Sequence, residues 1–285
     1  MNRRQLLHAG FAALGALAAG PLPAVPARAA SRAQPRLNVR TIGTGPDLIL
    51  IPGLTSGPAV WAGLVRALPG HRIHLVHVAG FAGLPAGGNA RGPVLDGLVA
   101  ELAGHARAAR LRAPAVIGHS MGGLLALMLA ARHPALVGRV MAVDIVPAPA
   151  RALGIDPGLG PVARGLVQLM QASPDGRQAL AGLVTDLGGG RAGLNGSDPD
   201  VVARATGELA ALDLTPLLPR ITAPLTIVHA VPADAAAAAS VRTAYRTAYR
   251  AAPGARIIPV GPSGHMVMLD QPARFAAEVR AFLAR

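Results

Sequence analysis

The stretch APAVIGHSMGGLLALMLAAR, residues 113–132, decides how this chain reads. Ala115, Val116 and Ile117 form a short apolar run of the kind that builds a buried strand. From Met121 to Arg132 the pattern becomes a strongly apolar helix, which stops before Pro134. Between them lies Gly118-His119-Ser120-Met121-Gly122. A serine between a strand and a helix, with glycines two before and two after, fits a sharp turn that presents its hydroxyl. The glycines let neighbouring backbone pass where a side chain would clash. The Met121 N–H at the helix start then faces a developing oxyanion, and the helix dipole adds to its pull. Ser120 is therefore the candidate nucleophile, and Met121 supplies one oxyanion donor.

Strands and helices alternate on both sides of this motif. Strands are predicted at residues 37–43, 47–52, 73–78, 115–117, 140–145, 224–229 and 256–260. Helices are predicted at 58–68, 94–110, 121–132, 238–251 and 272–283. Buried strands alternating with helices imply an α/β fold, a mostly parallel sheet with helices on both faces. Residues 147–219 break the alternation. They are rich in Gly and Pro, with a Gly188-Gly189-Gly190 run, and read as an inserted helical cap. The core is then 31–146 together with 220–285.

A serine hydroxyl needs a base. His265, in Pro262-Ser263-Gly264-His265-Met266, follows the last predicted strand and is the best placed of nine histidines. An acid should orient it. Asp234 is preferred because it follows the strand PLTIVH and precedes an Ala-rich helix. It also gives the chain order Ser, Asp, His. Asp144, ending VMAVDI, is the alternative. A second oxyanion donor is expected from Ile51-Pro52-Gly53-Leu54-Thr55, with the Leu54 N–H as candidate.

His71, His74 and His77 are spaced by three, but alternate strand side chains face opposite ways, so His74 points away from the other two. No zinc site is expected from them. The Gly188-Gly189-Gly190 run follows no strand and has no nearby lysine, which disfavours a phosphate loop. His119 is expected to pack beside the nucleophile, and His229 ends a strand near the presumed site.

From about residue 36 onward the chain resembles the α/β-hydrolase superfamily. IPGLTSGPAVW is similar to its oxyanion loop, GHSMGG to its elbow, and DLTPLLPRITAPLTIVH to its return from cap to sheet. SGHMVMLDQPARFAAEVRAFL is similar to its histidine loop and final helix. The resemblance implies an eight-stranded, mostly parallel sheet with a cap, and no cofactor. Two positions depart from it. Pro52-Gly53 stands where many members carry His-Gly, and VPADAAAAAS lacks the usual Gly-x-x-Asp. Members with an aspartate nucleophile are disfavoured because Ser120 holds that place.

Composition narrows the functional classes. With 52% hydrophobic and 14% charged residues, the chain has a sizeable core and is not disordered. All 27 basic residues are arginine, and the net charge is +13. The arginines are scattered and lack interleaved aromatics, so nucleic-acid binding is not expected. Residues 1–30 carry Arg3-Arg4, a short apolar stretch, and Ala27-Arg28-Ala29 before a cut. That layout predicts an export signal resembling the twin-arginine type, hence a periplasmic or secreted protein with no stable membrane span after cleavage. A retained N-terminal anchor is the alternative. The expected activity is hydrolysis of a carboxylic ester or related acyl compound, its small-molecule substrate apolar in character. Alternatives are a non-hydrolytic ligand-binding protein on the same fold and a cofactor-free haloperoxidase or lyase.

Overall fold

The computed structural model describes residues 34–149 and 196–285. The predicted export signal (1–30) and the 150–195 part of the predicted cap lie outside these residues.

Seven strands form one sheet among the described residues: β1 (Leu37–Ile42), β2 (Asp47–Ile51), β3 (Arg72–Val78), β4 (Ala115–His119), β5 (Arg139–Val143), β6 (Leu225–Ala230) and β7 (Arg256–Val260). Their spatial order is β1-β3-β2-β4-β5-β6-β7. Only β1 runs antiparallel, against β3, and all other pairs are parallel. The resemblance implies eight strands. The described residues supply seven, and the α/β architecture is unchanged by the difference.

Among the described residues the α-helices are α1 (Ala62–Ala67), α2 (Leu95–Ala108), α3 (Met121–Arg132), α4 (Pro199–Ala211), α5 (Ala235–Ala248), α6 (Val267–Asp270) and α7 (Pro272–Leu283). The period-2 alternation along each strand divides the core into two layers. Leu48, Leu50, Ile117 and Met141 face Trp61, Phe275 and Phe282 from α1, α7 and their neighbours. Ile49, Ile51, Val116 and Ala142 face the buried sides of α2 and α3. Helix α3 is buried along almost its whole length, Met121 to Ala131. A helix apolar on every side is stable only inside such a layer, and this fixes its N-terminus at the C-terminal edge of the sheet.

The described end of the predicted cap packs on that same edge. Asp198 caps α4, accepting from the Asp200 and Val201 N–H groups. The Glu208 carboxylate accepts from the Val94 and Leu95 N–H groups at 2.7 and 2.8 Å, closing the start of α2. Val201 packs on Gly80, whose φ of +92° suits only glycine, and a Cβ there would strike Val201. Among the described residues, no helix is long and apolar enough to cross a membrane.

Candidate active site

The junction of β4 and α3 forces an unusual backbone on Ser120. Its φ is 53° and its ψ is −123°, outside the regions that side chains normally allow. Such strain costs about 1–3 kcal/mol and persists only where surrounding contacts impose it. Here the Ser120 N–H donates to the Val143 carbonyl at 2.8 Å. The Ser120 carbonyl accepts from the Gly123 and Leu124 N–H groups. Both flanking glycines are required by close approach. A Cβ on Gly118 would run into the Gly122 carbonyl, and one on Gly122 into the carbonyl of Ile51. Ser120 stays partly exposed while His119 and Met121 on either side are buried.

Gly53 brings the loop after β2 against this turn. A Cβ at Gly53 would lie 3.1 Å from Ser120 Cβ and 3.0 Å from His119 Nδ1. Leu54 therefore follows directly beside the serine. Among the described residues, neither the Leu54 nor the Met121 backbone N–H donates to another backbone group.

The partner of His265 corrects the preferred sequence reading. His265 Nδ1 lies 2.7 Å from Asp144 Oδ2. Asp234 does not reach the histidine. Its carboxylate accepts from the Ala237 N–H at 2.7 Å and serves as the N-cap of α5. The physical reason is local. The run of five alanines after Asp234 starts a helix whose first N–H groups need an acceptor, and a preceding aspartate supplies one. Asp144 sits at the C-terminal end of β5, one strand closer to Ser120, with a positive φ of 49°. Its N–H donates to the Val228 carbonyl on β6 at 2.7 Å.

The rest of the Asp144 carboxylate is also occupied. Oδ1 accepts from the Ala230 N–H at 2.8 Å and from the Tyr245 hydroxyl at 3.0 Å. Burial pulls this carboxyl upward, but the His265 contact and the Ala230 N–H outweigh it and hold the pKa below the usual carboxylate range. An ionised Asp144 is an acceptor only. His265 Nδ1 must then carry a proton, so that in the neutral ring Nε2 is the acceptor.

His265 is partly open, with 38% of its side chain exposed. Its loop is pinned from two sides. The Gly264 N–H donates to Asp270 Oδ2 at 2.9 Å, and the Ser263 N–H donates to the Val231 carbonyl at 3.0 Å. His119 Nε2 lies 2.9 Å from the His265 carbonyl. Burial and the neighbouring His265 push the His119 pKa down to about 3, so the ring is neutral and Nε2 is its donor.

His74 bonds Thr41 and Asp47, and His77 Nε2 bonds the Phe81 carbonyl, so the two bond to different groups. Among the described residues, no group of three acidic or histidine side chains could hold a metal ion. His229 Nδ1 bonds the Ala230 carbonyl, and its ring stacks on Tyr245 at 4.1 Å with 12° between planes. The sequence reading passed over Tyr245. The signal for it was present: the chain has only two tyrosines, Tyr245 and Tyr249, four residues apart and so on one face of a helix.

The profile of the alpha/beta hydrolase family matches residues 48–278, most of the chain. A pimeloyl-(acyl-carrier protein) methyl ester esterase of Aromatoleum aromaticum is 40% identical over 107 residues, 36% of this chain and 38% of the relative. In that match the chain spans about two fifths of the relative's length. An esterase of the same name from Vibrio vulnificus is 28% identical over 66% of this chain and 76% of its own. Among solved structures, a thermophilic esterase from Thermogutta terrifontis superposes with a TM-score of 0.68 at 19% identity. It covers 87% of this chain and 93% of that one, a likeness of fold. The chain belongs to the alpha/beta hydrolase family of enzymes.

Proposed function

We propose that this chain is a serine hydrolase that cleaves a carboxylic ester, or a related acyl compound, through an acyl-enzyme. The observation that carries the reading is the Asp144–His265 contact at 2.7 Å, on a histidine whose carbonyl lies 2.9 Å from His119 Nε2 in the elbow that holds Ser120. Ser120 Oγ attacks the acyl carbon and its proton passes to His265 Nε2. The negative charge that develops on the acyl oxygen is held by the Leu54 and Met121 N–H groups. Collapse breaks the bond to the leaving alcohol, which takes the proton from His265. Water then attacks the acyl-enzyme with His265 again as base, and the acid product leaves as Ser120 regains its proton. Asp144 keeps Nδ1–H in place throughout and stabilises the imidazolium. The names of the curated relatives support an ester as substrate.

The test is turnover of p-nitrophenyl esters of graded chain length. The parent protein hydrolyses at least one of them, and folded Ser120→Ala, His265→Ala and the double variant are about equally inactive, because each removes the same step. A folded Ser120→Ala protein with parental turnover refutes the reading.

A further inference from the structure

The helix that follows Asp234, the expected acid, supplies a hydroxyl to Asp144. Tyr245, on α5, donates to Asp144 Oδ1 at 3.0 Å, while Oδ2 is left to His265 Nδ1 at 2.7 Å. A carboxylate held by the Ala230 N–H alone keeps freedom to rotate about its own Cβ–Cγ bond. A second donor on the same oxygen, from another element, fixes the plane of the carboxylate and so the direction of Oδ2.

The phenol is itself braced. Its ring stacks on His229 at 4.1 Å. His229 Nδ1 bonds the Ala230 carbonyl at 3.0 Å, and Ala230 gives its own N–H to Asp144. The contacts form a closed loop: Asp144, Tyr245, His229, Ala230 and back to Asp144. One helical turn on, the Tyr249 hydroxyl donates to the Ile145 carbonyl at 2.8 Å. Helix α5 thus clamps Asp144 by its side chain and the next residue by its backbone. A phenol that only filled space would be satisfied by any acceptor, as Tyr249 is by a main-chain carbonyl. Tyr245 instead takes a lone pair of the carboxylate that orients the proposed base. Burial and the negative Asp144 keep both phenols protonated, so both remain donors. The other titratable groups around Asp144 are His265, His119 and His229.

We propose that Tyr245 is a positioning residue, whose hydroxyl sets the carboxylate of Asp144 so that Oδ2 meets His265 Nδ1. The inference rests on the serine-hydrolase reading for its kinetic consequence, but not for its structural one. Tyr245→Phe keeps the ring and its stack on His229 and removes only the hydroxyl. It should lower kcat about tenfold with KM within about twofold of the parent, since the hydroxyl touches no substrate. In proton NMR, the far-downfield resonance of the His265 Nδ1–H should shift or broaden. This readout needs no turnover. An inactive parent would tell against the serine-hydrolase reading, while the resonance would still decide the part played by Tyr245. Should Tyr245→Phe fail to fold, 3-fluorotyrosine incorporated in a Tyr249→Phe background places a stronger donor at Tyr245 alone, and the same resonance should shift. A folded Tyr245→Phe with parental kcat and an unmoved resonance overturns the proposal, as does an unmoved resonance in the fluorinated protein.

Discussion

Among the described residues two histidine–aspartate pairs stand on this sheet, and their surroundings differ. His265 and Asp144 meet at 2.7 Å, His74 and Asp47 at 2.9 Å. The difference lies in what surrounds each. His74 is 2% exposed, against 38% for His265. Both nitrogens of His74 are engaged, Nε2 by Asp47 and Nδ1 by Thr41 and His105. Asp47 is further neutralised by Arg72, through contacts of 2.5 and 2.8 Å. That pair sits near the N-terminal ends of β2 and β3, where Asp47 is the first residue of its strand. The His265 pair lies past the C-terminal ends of β5 and β7, where ligands bind in parallel sheets. A histidine–carboxylate contact is therefore not by itself a site. The proposed mechanism also draws on the partial exposure of His265 and on Ser120 at the same sheet edge.

Replacing each aspartate separates the two pairs. Asp144→Asn should lower kcat by about 10³–10⁴-fold, because the amide favours the wrong tautomer of His265. Asp47→Ala should leave kcat near the parental value and cost about 2–3 kcal/mol of stability, since it strands the buried His74 Nε2. Ester turnover and urea unfolding on the same preparations distinguish these outcomes. If Asp47→Ala were as inactive as Asp144→Asn, the contrast between the pairs would fail.

Acid sharpens the comparison at His119, which packs on His265 at 4.5 Å between ring centroids. Its folded pKa, about 3, lies below the unfolded value of about 6.5. The unfolded chain therefore binds this proton first as pH falls. The stability linked to it is complete above about pH 6.5 and is lost on acidification toward the folded value, by about 1.4 kcal/mol per pH unit. His119→Gln should flatten that slope. Part of it will remain, because burial also lowers the pKa of His229. An unaltered slope would mean that His119 does not stay neutral in the folded protein. The smallest effect belongs to Asp234: its replacement by alanine should cost about 1 kcal/mol through loss of the α5 cap and leave kcat unchanged.

The parts legible in the sequence were those encoded locally. The β4–elbow–α3 unit could be read because its apolar strand, glycines and apolar helix are contiguous. The place of His265 could be read because it follows the last strand. The aspartate that meets it could not. Asp144 and Asp234 both satisfy the order Ser, Asp, His, and each follows a strand. The choice between them depends on which strand end lies nearer the histidine loop, a tertiary fact. The capping role of Asp234 was the overlooked local clue, since an aspartate before an Ala-rich run is an N-cap signal. Tyr245 was hidden for the same reason as Asp144, because its partner is 101 residues away. The antiparallel pairing of β1 with β3 was also unreadable, since strand direction leaves no mark on the apolar pattern.

In the proposed mechanism Ser120 is activated by His265 held on Asp144. Fluorophosphonate labelling with peptide mapping tests it most directly, because a phosphonylated serine requires the same removal of a proton as the acyl transfer. One label per chain is expected, on the peptide that contains Ser120, with labelling slowed at least about a hundredfold in Asp144→Asn and near parental in Asp234→Ala. Equal labelling of parent and Asp144→Asn, or a label on a peptide without Ser120, would contradict it.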